Sequence, residues 1–123
     1  MAKRRKRKKS EYNRFRAEIK NQCDRLGLRD WDILTACAEL DGDDKDAAAI
    51  ISADAAKRVA TITLNMYSSF AEKEAISVED VARHEIAHLL LTPLWMIANS
   101  RWADSKHWNV EEERLATILE KVL

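Results

Sequence analysis

Residues 83–91 read Arg-His-Glu-Ile-Ala-His-Leu-Leu-Leu, a His-Glu-x-x-His motif set in an apolar run. On an α-helix, residues four apart share a face, so His84 and His88 point the same way and Glu85 lies beside them. Only three histidines occur in the 123 residues, and two of them are here. Ile86, Ala87, Leu89, Leu90 and Leu91 require this helix to be buried, so its polar groups need partners. Two neutral imidazoles on one face are a pair of ligands for Zn²⁺, and a catalytic zinc site keeps a position open for water. In that chemistry Glu85 takes the proton of the zinc-activated water. The competing explanation is a chance spacing of satisfied or solvated histidines.

The chain length predicts one domain, and a hydrophobic fraction of 46% is enough for a modest core. No apolar run reaches the length of a membrane span, and the charged start lacks the apolar segment of a signal peptide. The expectation is a cytoplasmic protein with no membrane partner. Cys23 and Cys37 stand apart with no metal or redox spacing and read as reduced thiols.

Residues 3–9 carry seven positive charges. Setting them aside leaves 14 Lys and Arg against 21 Asp and Glu, a balance of −7 for the remainder. Residues 1–9 are therefore expected as a disordered basic tail, with 10–123 as the single folded domain. Such a run is a non-specific nucleic-acid arm, a solvated tail, or a segment that folds back on the acidic body.

Phe15, Ile19, Cys23 and Leu26 mark one stripe of a first helix over 11–26, capped by Ser10 and closed by Gly27. Strands are expected over 31–40, 47–52 and 58–65, with 58–65 the strongest. Asp41-Gly42 reads as a hairpin turn and 54–57 as a tight connection. Three strands joined by short turns predict an antiparallel sheet, whose free edge offers backbone groups to an extended peptide. After a loop over 66–75, Ser77 caps the motif helix, 78–91, which ends at Thr92-Pro93. A helix over 94–103 covers it with Leu94, Trp95, Ile97, Ala98 and Trp102. A polar loop over 104–108 precedes a last helix over 110–122, capped by Asn109. On that helix Leu115, Ile118, Leu119 and Val122 share a face. Helical phase makes Glu112 the inward carboxylate of the run Glu111-Glu112-Glu113, with the other two as alternatives.

Together, His84-Glu85-Ile86-Ala87-His88 and the later Glu112-Glu113-Arg114-Leu115 make the chain resemble a minimal zincin of the gluzincin type. It is similar to the small metallopeptidases of phages and mobile elements related to the ImmA/IrrE type. The likeness covers residues 28–123, with specific motifs only at 84–88 and 111–119. The Ala-Asn pair common after the ligand glutamate in that family is replaced here by Leu115-Ala116. The resemblance implies an α+β, zincin-like fold, with a small antiparallel three-stranded sheet packed on the motif helix and further helices. It implies a zinc metalloendopeptidase in the cytoplasm, that of a host cell for phage-encoded members, with Zn²⁺ held by His84, His88 and Glu112 and a protein or peptide as substrate. A related SprT-like, DNA-associated type has a third histidine instead, for which His107 is the candidate. His107 and Tyr67 are otherwise candidates for stabilising the transition state, or surface side chains. Glu79, Asp80 and Asp104 are candidates for orienting the histidines. Two other classes remain open: a nucleic-acid accessory protein acting through residues 3–9, and a zincin-fold interaction protein without turnover, its four tryptophans forming a partner surface.

Overall fold

Val59–Asn65 carries apolar or β-branched residues on both faces, and it forms the middle of the sheet. The structure, a computed structural model, describes residues 4–68, 76–100, 105–120 and 122. In chain order these residues form β1 (Arg5–Lys6), α1 (Lys9–Leu26), β2 (Asp32–Ala38), β3 (Ala49–Asp54), β4 (Val59–Asn65), β5 (Tyr67–Ser68), α2 (Val78–Ala98) and α3 (Ser105–Glu120). The class is α+β. No helix among the described residues is long and apolar enough to cross a membrane.

The three expected strands are present, but the sheet is mixed rather than antiparallel. Its order is β2-β4-β3. β4 runs parallel to β2, with Asp32 opposite Val59, and antiparallel to β3, with Ala49 opposite Leu64. Burial explains the order: Ala60, Ile62 and Leu64 are almost fully buried, so β4 takes the central place where both backbone edges are paired. Residues 39–58, β3 included, make the long crossover that a parallel pair requires. Gly42–Asp44 is a short 3-10 turn, with Gly42 at φ 59°, inside that crossover rather than at a hairpin tip. The real hairpin is 55–58, where Asp54 Oδ1 accepts from the N–H groups of Ala56 and Lys57 at 3.0 and 3.1 Å.

On α1, Phe15, Ile19 and Leu26 are buried as their spacing predicts, and Gly27 closes the helix at φ 70°. Its start differs from expectation. The helix begins at Lys9, and the Glu11 carboxylate, not Ser10, serves the cap by accepting from the Lys8 backbone N–H at 3.1 Å. Two ion pairs, Arg14 with Glu79 and Glu18 with Arg83, join residues 65 apart in both cases, so α1 and α2 run parallel. α1 lies over β2, where the Tyr12 hydroxyl donates to Thr35 Oγ1 at 3.4 Å, and α2 packs on β3. Phe15, Ile62, Leu64, Ile86 and Leu89 are the fully buried centre of this helix-on-sheet core.

α2 does not stop at residue 91. It passes through Pro93 to Ala98, absorbing most of the separate helix expected over 94–103. Pro93 leaves the Leu89 carbonyl without its helical donor. On either side of it, the Thr92 hydroxyl donates to the His88 carbonyl at 2.9 Å and Arg114 Nη2 donates to the Leu90 carbonyl at 3.1 Å. α3 begins at Ser105, so His107, Trp108 and Asn109 are helical rather than loop and cap.

The start of the chain folds back on the body from residue 4 onward. β1 pairs with β5, with Arg5 opposite Ser68 and Lys6 opposite Tyr67. Asn65, fully buried, is the anchor. Its side-chain amide donates to the Lys45 and Ala47 carbonyls at 3.0 and 2.9 Å, and its Oδ1 accepts from the Tyr67 N–H at 3.1 Å and Arg4 Nη2 at 3.4 Å. The disordered tail expected over 1–9 is thus corrected for residues 4–8: charge repulsion is overcome because the arginines meet carbonyls and the Glu11 carboxylate.

Candidate metal centre

Ser77 Oγ accepts from the Asp80 N–H at 3.1 Å and fixes the start of α2, with Glu79 and Asp80 in its first turn. Two turns on, His84 and His88 are both exposed, their Nε2 atoms 3.1 Å apart and their rings at 87° with centroids 4.7 Å apart. Two nitrogens bound tetrahedrally to one zinc stand roughly 3.3 Å apart. The donor pair therefore fits that ion; without one, the same distance is a hydrogen bond between the two ring nitrogens. Glu85 sits between them in sequence but turns inward and is only 5% exposed. Burial pushes its carboxyl up from the usual value, and the neighbouring His84 opposes this in part.

α2 uses its two flanks differently. Glu79 and Arg83 tie one flank to α1. His84 and His88 lie on the other, and the stripe continues at i+7 and i+11 with Leu91 and Trp95, 50% and 66% exposed. Because α1 covers β2 and α2 covers β3, the flank turned from α1 is the side of the outer edge of β3, which no strand among the described residues pairs. The Asn65 N–H bonds the Ala48 carbonyl at 2.9 Å. Continuing that alternation along the register points the main-chain groups of Ala49, Ile51 and Ala53 outward along this edge. From sequence, Trp95 is expected to cover the motif helix. The spacing from His84 was the available signal that it extends the histidine face instead.

The third ligand expected on α3 is not brought to the pair. Glu112 is exposed. The half-buried member of the run is Glu111, held by Arg114 Nε at 2.7 Å, and Glu113 lines a hollow with Leu26, Leu28 and Arg58. Among the described residues no three His, Cys, Asp or Glu side chains are grouped so as to hold a metal ion. The inward stripe of α3 is Glu111, Arg114, Leu115 and Ile118, one position out of phase with the expected one, and Leu119 is 45% exposed. His107 is exposed on α3. Tyr67 is in the β1–β5 ribbon with the Arg4 guanidinium 5.1 Å from its ring centre. Of the groups considered for orienting the histidines, Asp80 pairs with Arg83 and Glu79 with Arg14, which holds the Glu79 carboxyl down at about 2. Asp104, Trp102 and residues 69–75 lie outside the described residues.

Cys23 and Cys37 are free, and burial pushes both thiols up, Cys23 to about 11, so neither is a thiolate nucleophile at neutral pH. Of the four tryptophans, Trp31 is buried in the core, whereas Trp95 and Trp108 are exposed. Comparison with protein-family models, with curated proteins and with solved structures finds no match to this chain.

Proposed function

We propose that the chain is a zinc-dependent peptidase whose metal is held by His84 and His88. The observation that carries this reading is the convergence of the two exposed Nε2 atoms at 3.1 Å beside a buried carboxylate. His84 and His88 would hold the ion, which when bound would supply a Lewis-acid charge to polarise a peptide carbonyl and acidify water. Glu85, whose carboxyl burial pushes up from its ordinary value, accepts the water's proton and returns it to the leaving amine. The free edge of β3 holds the substrate backbone on the same side of α2 as the histidines. Leu91 and Trp95 offer its side chains apolar surface beyond His88. The family resemblance supplies Glu112 as third ligand, and the structure leaves that carboxylate apart from the pair.

Zinc content of the purified chain, with His84→Ala and Glu112→Ala beside it, tests the proposal. About one zinc per chain, lost in both variants, supports the full ligand set. Loss in His84→Ala alone keeps the histidine pair and moves the third donor elsewhere. No zinc in a chelator-free preparation overturns the reading.

A further inference from the structure

The opposite edge of the sheet carries a second surface, separate from the histidine pair. β2 is an edge strand, and its register directs alternate residues outward. The Asp32 N–H bonds the Arg58 carbonyl, and the Ala38 carbonyl accepts from Met66, both at 2.8 Å. In a parallel ladder this turns the main-chain groups of Asp32, Leu34, Ala36 and Ala38 toward β4 and those of Ile33, Thr35 and Cys37 to the edge that no strand among the described residues pairs.

Beside that edge is an open hollow between α1 and β2, with a floor that includes Ile19 and Trp31 and one basic wall, Arg16 and Lys20. The two cations are exposed, and neither has a carboxylate partner among the described residues. Arg16 is placed by the strand itself: its guanidinium is 5.6 Å from the Tyr12 ring centre, and the Tyr12 hydroxyl reaches Thr35. Asp24, which also lines the hollow, is engaged by Arg29 at 3.8 Å. On the other face of the sheet, Leu34 is 61% exposed.

We propose that the β2 edge is a docking site for an extended polypeptide segment of alternating acidic and apolar residues. The segment adds a strand to β2 through the main-chain groups of Ile33 and Thr35. Side chains on the helix side meet Arg16 and Lys20, and those on the other side cover Leu34, because successive side chains alternate across a strand. A nucleic-acid strand fits less well: Trp31, the aromatic of the hollow, is buried at 7% exposure rather than open for stacking on bases. The site stands whether or not the chain binds zinc.

The test is fluorescence anisotropy of the full chain with a labelled peptide of five Glu-Val repeats, beside a Lys-Val peptide and an oligothymidylate of matched charge. Saturable binding of the Glu-Val probe alone is expected. The exposed double variant Arg16→Glu/Lys20→Glu should weaken it by about tenfold or more. Thr35→Pro should weaken it as well through the lost outward N–H, beyond the effect of Thr35→Val, which loses only the Oγ1 that accepts from the Tyr12 hydroxyl. Amide exchange at Ile33 and Thr35 should slow in the complex. Binding of the oligothymidylate in its place, binding indifferent to the charge reversal, or no binding of the Glu-Val probe overturns the proposal.

Discussion

Arg7 donates from Nε to the backbone carbonyl of Asn65 at 2.8 Å, and both residues are buried. The contact joins the basic arm to the end of the central strand, where Asn65 already serves the Lys45 and Ala47 carbonyls. A buried polar group left unpaired costs about 1–3 kcal/mol, and Asn65→Ala orphans several at once. The variant should lose at least about 2 kcal/mol in urea unfolding. Deleting residues 1–8 should also lower the midpoint. A free tail would leave it unchanged, so an unaltered midpoint after truncation would refute the anchoring.

The acid limb of stability should depend on two carboxylates. Arg5 beside Glu11, and Arg14 beside Glu79, hold both at about 2, below the ordinary 4.5. A depressed carboxylate contributes stability that is fully present above its unfolded value and lost as pH falls through its folded one. The loss should therefore occur between about pH 4.5 and 2. The pairs are near the surface, so solvent screening limits each to about 1 kcal/mol or less. Unfolding midpoints of Glu79→Gln and wild type should converge at the acid end of that window. A constant gap from pH 6 to 2 would remove the pair as the cause.

Much of this fold is legible in the residues. Phe15, Ile19 and Leu26 mark a buried stripe by spacing alone, Ser77 caps the helix about three turns before His88, and 58–65 reads as a strand on either face. What local patterning does not carry is competition between segments. Strand order followed from β4 having more to bury than β3, which no window around either strand reveals. The arm failed as an expectation because like charges count as repulsive until their partners are known, and Asn65 and Glu11 are those partners. α3 shows the same limit: Arg114 occupies a half-buried position by bonding Glu111 and the Leu90 carbonyl, so a stripe drawn through apolar residues alone misplaces the phase and with it Glu112. At the candidate site the histidines were legible because their requirement is local, one helix and a spacing of four.

Glu85→Gln separates chemistry from folding. The change removes a buried carboxylate for which no hydrogen-bond partner is present among the described residues. It should therefore leave the thermal midpoint unchanged or raise it. Zinc content should be retained, while peptide hydrolysis should fall by about 100-fold or more, the usual scale for a general base. Hydrolysis at the wild-type rate would exclude Glu85 as the base.

The last expectation concerns the edge of β3. Ala53 points its backbone away from β4, so a proline there deletes an outward donor without breaking a ladder bond. If a substrate backbone is held along this edge, Ala53→Pro removes one hydrogen bond of about 1 kcal/mol. That corresponds to an increase of roughly fivefold in KM, with kcat and zinc content little changed. The paired position Ser52 gives the control, because proline there cuts a bond to β4 and should lower stability whatever the substrate does. A drop in kcat with unchanged KM in Ala53→Pro would point to disturbance of α2, which packs on β3, rather than to a lost substrate contact.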